Sequence, residues 1–366
     1  KQFISALAPS PEAISKICSY FYNGTRELIE QTSFPLVGEN TRAVNIVRDV
    51  LKYVPLRWAA TEVAGITLKT QQHPHGVFTE SQLFDMLSEI YQFLFLDVEP
   101  AKYMVLKQRV KDNIQELTHL IKSSLGSDES RMPFAGLFDT LSGLFGFGDK
   151  GHNEIVKRLV EFGCSTEQVV NSILALLVGA TVEMSLALTN VIDQLLNSEE
   201  NSTVSVQAVK SPDAKDLSSL TAYIIEALRI DPSFAGVYRV AKQDETLASL
   251  TVKQGERVFL DIATANMDEN VFPNPNILDT TRPRERYLHG DGCFKVLGED
   301  LASKLMVEVL RGILSFDNVR RGPGQSGNLP RFEDKALPVL RYAYLNEKML
   351  PSAWPTSMVI NYDVSA

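Results

Sequence analysis

The chain has 366 residues, 44% of them hydrophobic and 22% charged, an ordinary globular balance with material for one large core or two smaller ones. Its 36 basic residues against 45 acidic ones give a formal charge of −9. No Lys/Arg cluster interleaved with aromatics offsets this, so nucleic acid is excluded as a main partner, because phosphate binding needs a basic surface.

Three cysteines, Cys18, Cys164 and Cys293, are too few and too scattered for a disulfide framework, and no C-x-x-C or paired-histidine spacing points to a metal. The expected location is intracellular, in the cytoplasm or at the periphery of a lipid body or membrane. The opening residues KQFISALAPSPEAISKI lack an initiator methionine and a signal-peptide pattern, and read as a piece of a longer polypeptide. The most apolar window, Ile173 to Val182, is about ten residues against the ~20 that cross a bilayer, so no transmembrane segment is expected.

In chain order, Pro11 to Glu30 spaces Ile14, Ile17, Cys18, Phe21 and Leu28 along one helical face, with Ser10-Pro11-Glu12 as cap, first-turn proline and early acid. Thr41 to Ala64 reads as a second helix, with Val44, Val47, Val50, Leu51, Val54 and Trp58 on one side. Thr79, with Gln82 three residues on, opens a third to Phe95 as a capping box would. A fourth runs from Ala101 to Leu125 and closes on Gly126. Between Ser127 and Gly151 the composition shifts to Gly, Ser, Asp and Phe. This stretch reads as a mobile loop, with a short sticky helix or a domain boundary as the other readings.

His152 to Phe162 follows as a helix ended by Gly163. Ser165 and Gln168 then cap the longest element, helical to about Asn197 and ~48 Å long at 1.5 Å per residue. Its middle, Leu176 to Met184, is apolar almost all round, as in a buried helix. Asn197 to Lys215 reads as a polar surface loop, and Leu217 to Arg229 as a helix. After it the period becomes extended: Gly236-Val-Tyr-Arg-Val, Leu250-Thr-Val and Arg257-Val-Phe-Leu-Asp-Ile surround the turn Lys253-Gln-Gly-Glu as a small antiparallel sheet. A proline-rich meander from Asp268 to Pro283 leads to a glycine-punctuated loop and a last helix, Asp300 to Leu314. The tail from Pro330 has strand-like pieces at 339–342 and 357–361 and no sustained helix.

Glu226 and Arg229 lie three apart and share a helix face. Alone, such a pair is as readily a surface contact as a buried one. Its surroundings say more: a two-stranded segment, the meander Phe272-Pro-Asn-Pro, Arg282 and the loop RPRERYLHGDGCFKVLGE (282–299) follow in order. The succession resembles the second half of the cytochrome P-450 superfamily. That resemblance implies a mainly α fold with a small antiparallel β component, spanning 1–366 as one domain without the first helix and strands of a full-length member. It makes Glu226, Arg229 and Arg282 a structural triad, in which guanidinium groups hold a desolvated carboxylate.

The family's loop pattern, F-x-x-G-x-x-x-C-x-G, puts His289 at the aromatic, Gly292 and Gly298 at the glycines, and Val296 at the cysteine; Gly290 adds a further loop glycine. The family's thiolate pushes electron density onto haem iron, and valine has no lone pair to offer. Cys293 and His289 are outside candidates for a replacement ligand; a free thiol and a packed or hydrogen-bonded imidazole are the plainer readings. On the long helix the family sets small residues, an acid and a threonine for proton delivery to dioxygen. Here Gly179 and Ala180 are small, Glu183 is the acid, and Met184 stands where the hydroxyl belongs; Glu183 as an ordinary buried or rim carboxylate and Met184 as core filling are the other reading.

A narrower resemblance rests on TRAVNIVRDVLKYVPLRWAA (41–60) and PNPNILDTTRPRERYLHG (273–290). These are similar to the C-terminal P-450-type domain of fungal fatty-acid dioxygenase fusions, the linoleate diol synthases and psi-factor-producing oxygenases. There an N-terminal haem-peroxidase-like domain makes a fatty-acid hydroperoxide, and the second domain isomerises it with help from an Asn and a Gln on the crossing helix. Those two positions are Thr181 and Met184 here. Members that act as linoleate 10R-dioxygenases have lost the cysteine, and the chain resembles them. The resemblance implies no haem in this domain and a structural or lipid-pocket role. It also implies the N-terminal haem-binding dioxygenase domain as partner, a fatty acid as ligand, and a homo-oligomeric parent. The alternatives are an active haem-containing hydroperoxide isomerase with an unusual ligand, and a non-enzymatic fatty-acid-binding module.

Overall fold

The computed structural model describes residues 2–8, 10–71, 73–96, 98–125, 150–197, 217–247, 249–283, 297–333, 342–346 and 348–364. The stretches read above as loops at 127–151 and 197–215 lie almost wholly outside these residues, as does most of the 282–299 loop.

Hydroxyl caps start three of the main helices. After a short α1 (Gln2–Leu7), Ser10 accepts the Ala13 N–H at 3.3 Å and opens α2 (Pro11–Thr32). A two-residue β1 (Phe34–Pro35) pairs with β2 (Thr41–Asn45). Here the structure corrects the single helix expected over 41–64. Its first five residues are a strand, inserted between β1 and β11 (Val359–Asp363). Val44, Val47 and Val50 keep an apolar spacing across the junction, and the strand's main partner lies more than 300 residues away, beyond the reach of local periodicity. The helical part is α3 (Tyr53–Trp58) between wider π turns at Val47–Leu51 and Ala59–Val63. Pro55 has no N–H to return to residue 51, which is where the first wide turn ends.

A reciprocal Thr79–Gln82 capping box heads α4 (Glu80–Phe95), and Pro100 opens α5 (Pro100–Ser124). The next helix, α6 (Lys150–Glu161), is followed by Gly163 at φ +78°. Ser165 and Gln168 cap α7 (Thr166–Leu195) in the same reciprocal way as Thr79 and Gln82. Then come α8 (Ser218–Ile230), β3 (Gly236–Val240), β4 (Glu245–Leu247), β5 (Leu250–Val252), β6 (Arg257–Asp261), α9 (Ile262–Ala265) and α10 (Glu299–Leu314). The chain finishes with β7 (Asp317–Arg321), β8 (Arg331–Glu333), β9 (Tyr342–Leu345), β10 (Pro351–Ser352) and β11. The strand pairs are antiparallel: β1-β2-β11-β7, β10-β9-β8, and two separate hairpins, β3-β6 and β4-β5, where one small sheet was expected.

Every residue of α7 from Leu176 to Asp193 is buried, polar ones included. By length and composition this helix could cross a bilayer: its most apolar window of 18 residues has a mean hydropathy of 1.8. Its apolar stretch is longer than the ten residues of Ile173 to Val182, because polar residues interrupt it without lowering its mean hydropathy below that of a span. However, 78% of that window is inside the fold, where α3, α4, α5, α8 and α10 pack around it, so its apolarity has a packing cause. At the other main helix contact, α10 lies along α2. A Cβ at Gly312 would come within 2.9 Å of the Thr25 Cβ and 3.0 Å of the Tyr22 carbonyl oxygen, so only glycine permits this approach.

Candidate functional site

The last turns of α8 carry Glu226 and Arg229, whose side chains are wholly buried. Arg229 meets the carboxylate with two parallel bonds, Nε to Oε2 at 2.9 Å and Nη2 to Oε1 at 2.7 Å. Arg282 donates its Nε to Oε1 at 3.0 Å, and the Asp279 N–H reaches the same oxygen at 3.2 Å. The remaining guanidinium donors find backbone: Arg229 reaches the carbonyls of Asn266 at 2.8 Å and Pro275 at 2.7 Å, and Arg282 reaches that of Asn274 at 3.1 Å. The Phe272 ring lies beneath Arg229, with centroid 5.1 Å from the guanidinium carbon. The three residues therefore meet in one cluster that pins the meander 266–282 to α8. With every charge paired, the cluster positions chain and has no proton or electron pair to lend to a reaction.

On α7, Gly179 and Ala180 are buried, and so are Thr181, Glu183 and Met184. Thr181 Oγ1 donates to the Leu177 carbonyl at 2.6 Å. Its only proton is thus used inside its own helix, and the Met184 thioether has none. Gly298 precedes α10 at φ +78°, a conformation suited to glycine. Of the other loop residues, His289, Gly290, Gly292, Cys293 and Val296 lie outside the described residues.

Residues 75–289 match the Cytochrome P-450 family model. The chain belongs to the cytochrome P-450 family. Among curated proteins it is similar to a bifunctional dioxygenase–epoxy alcohol synthase of Fusarium oxysporum, 29% identical over 363 residues, with 94% of this chain and 27% of that protein covered. It is also similar to psi-producing oxygenase A of Emericella nidulans, 27% identical over 360 residues (95% and 32% covered), and to a linoleate 10R-lipoxygenase of Aspergillus fumigatus, 26% identical over 367 residues (94% and 32%). These are the fungal oxygenases that the 41–60 and 273–290 segments resemble, and the chain spans under a third of their length. The fold matches P450BioI in complex with an acyl carrier protein bearing hexadec-9Z-enoic acid (TM-score 0.67, 15% identity, 99% of this chain and 78% of that one). It also matches CYP109E1 from Bacillus megaterium in complex with testosterone (TM-score 0.66, 17% identity, 99% and 82%).

The family's haem needs an axial donor. The loop resemblance puts Val296, outside the described residues, at the thiolate position. Of the described cysteines, Cys18 faces α10, and its thiol is pushed up to about 11 by burial and by the nearby Glu308 carboxylate, which disfavours a thiolate. Cys164 precedes the cap of α7, ~22 Å along the helix from Gly179 at 1.5 Å per residue. His152 is buried with both ring nitrogens engaged, Nδ1 with the Val63 carbonyl at 2.6 Å and Nε2 with Ser124 Oγ at 3.3 Å. Among the described residues no group of three or more His, Cys, Asp or Glu could hold a metal. The other candidate donors, Cys293 and His289, lie outside the described residues.

A second ion cluster escaped the sequence reading. Asp193, near the end of α7, receives Arg321 Nη2 on Oδ1 at 2.7 Å and Arg331 Nη2 on Oδ2 at 3.2 Å. Arg331 Nη1 reaches Asp231 Oδ2 at 2.7 Å and its guanidinium stacks on Tyr342 at 4.1 Å. Arg321 also caps the Asp193 and Gly327 carbonyls. Beside them the Tyr344 hydroxyl donates to Asn190 Oδ1 at 3.4 Å, and burial drives that phenol well above the ordinary tyrosine range. The only local signal was an aspartate in the last turn of an otherwise apolar helix.

Proposed function

We propose that this chain is a haem-free cytochrome P-450-like domain with a structural or lipid-holding role in a fatty-acid oxygenase whose chemistry resides in a separate, N-terminal haem-peroxidase-like domain. The observation that carries the reading is Val296 at the position of the thiolate. Three others support it. The family match stops at residue 289, short of that position; Thr181 keeps its proton on Leu177; and Met184 offers no donor. The Glu226–Arg229–Arg282 cluster is intact, so the scaffold is retained while the reactive positions are changed. Function is argued from these residues rather than from the fold, which hosts many chemistries. In this reading the domain packs on the dioxygenase domain of its own polypeptide, aids a homo-oligomeric assembly, and works inside the cell, in the cytoplasm or at a lipid-body or membrane periphery.

The test is an absorption spectrum with iron analysis of the purified chain. No Soret band is expected. A Soret band with near-stoichiometric iron would defeat the reading and favour a hydroperoxide isomerase ligated by Cys293 or His289. Val296→Cys alone is expected to give no thiolate-type carbonyl spectrum; a full one would show that the loss is confined to a single sulfur.

A further inference from the structure

Leu94 and Phe95 end α4, and Tyr103, Met104 and Val105 lie in the first two turns of α5; all five are between 41% and 69% exposed. No other helix among the described residues exposes three large apolar residues in succession. The corner is held firmly. The Phe95 ring lies 4.7 Å from the buried Tyr91 and Tyr103 lies 5.5 Å from Phe93, centroid to centroid, while Leu106 and Val110 anchor α5 from its buried side. Charge here also departs from the rest of the molecule. Residues 93–112 set Lys102, Lys107, Arg109 and Lys111 against Asp97, Glu99 and Asp112, in a chain of formal charge −9. Glu99 pairs with Lys102 at 2.8 Å and Glu89 with Arg109 at 3.0 Å, so both signs stand at the rim.

We propose that two copies of the chain meet at this α4–α5 corner, about a two-fold axis. The proposal rests on the homo-oligomeric part of the function proposed above and gives it a surface. Aromatic side chains already fixed by their neighbours lose little freedom when a second copy covers them. The exposed parts of five side chains this size come to about 500 Å² per copy, at the upper end of what a monomer leaves uncovered. Two copies together bury about 1,000 Å², which reaches the lower bound of a specific contact. A two-fold axis sets one residue against another and the reverse, so a rim carrying both signs can face its own copy with opposite charges adjacent. An anionic lipid surface calls instead for basic residues alone. The acids of this rim and the overall charge of −9 oppose it.

The intact chain is followed by analytical ultracentrifugation over about a hundredfold range of concentration. A monomer–dimer equilibrium is expected. Each substitution enters a two-fold contact twice, so Met104→Asp should raise the dimer dissociation constant about a hundredfold, tenfold at each of the two sites. Lys107→Glu combined with Lys111→Glu should raise it about fivefold, and more in low salt than in high. Leu250→Asp, on β5 and as exposed as Met104, is the control and should leave it unchanged. All these positions are exposed, and circular dichroism checks that the variants fold. A monomer at every concentration, a dimer indifferent to Met104→Asp, or an equal loss from Leu250→Asp would overturn the proposal. So would binding to phosphatidylserine vesicles that Met104→Asp abolishes in a chain that stays monomeric, which would give the corner to a lipid surface. None of those outcomes touches the haem-free reading, which the Soret measurement decides.

Discussion

The two buried ion clusters use the same chemistry to opposite ends. Around Glu226 one buried carboxylate serves two guanidinium groups with almost no water, with the partly exposed Asp279 carboxylate 4.0 Å from Arg282: both side chains of the Glu226–Arg229 pair are fully covered and Arg282 is 9% exposed. Around Asp193 two carboxylates serve two arginines that keep 20% and 15% of their side-chain surface in solvent. The first cluster fixes how a meander leaves one helix; the second ties β7 and β8 to the end of the long central helix. Charge in the first is scarce and fully committed. In the second it is shared and partly wet, so losing one member should cost less.

The largest expected effect is therefore Glu226→Gln, which strands two guanidinium groups in the interior; urea unfolding should show a loss of about 3–5 kcal/mol. A loss under about 1 kcal/mol would mean that the backbone carbonyls of Asn266, Pro275 and Asn274 carry the cluster without the acid. Asp193→Asn should cost about 2 kcal/mol, because Arg321 keeps the Asp193, Leu196 and Gly327 carbonyls and Arg331 keeps Asp231. Equal losses for the two substitutions would erase the distinction drawn between them. As an uncharged reference, Gly312→Ala should cost about 1–2 kcal/mol by pushing α10 off Thr25 and Tyr22, read from the same unfolding curves.

The smallest effect concerns a buried imidazole that meets no carboxylate among the described residues. Burial holds the His152 imidazole below its ordinary pKa, with the Val63 carbonyl offsetting this only in part. The unfolded chain then takes up the proton first. Stability from this group is complete above about pH 6.5 and is lost as pH falls through the lower folded-state value. Unfolding free energies at pH 7.5 and 5.5 should fall less steeply for His152→Gln than for the parent. An unchanged slope would assign the acid sensitivity to other groups.

Much of the local architecture could be read directly. The caps at Ser10, Thr79 and Ser165 act on the first turn of their own helices, and Glu226 and Arg229 sit one turn apart, so their pairing needs no distant partner. Arg282 was found because the order of segments, helix then hairpin then meander, placed it. Thr41 to Asn45 was misread because its strand partner is at the other end of the chain and its valines match the helical period that follows. Asp193 and Arg331 drew no notice for a similar reason: isolated charges 138 residues apart carry no mutual pattern.

The amino-acid order by itself settled the family and put a valine where the family's loop pattern has its cysteine, because chemical identity is local: no packing arrangement gives an isopropyl group a lone pair. Which charges are sealed from water and whether a span-length apolar helix is buried among protein were decided only in three dimensions. Those are properties of solvent exclusion, and exclusion is set by segments that meet only when the chain has folded.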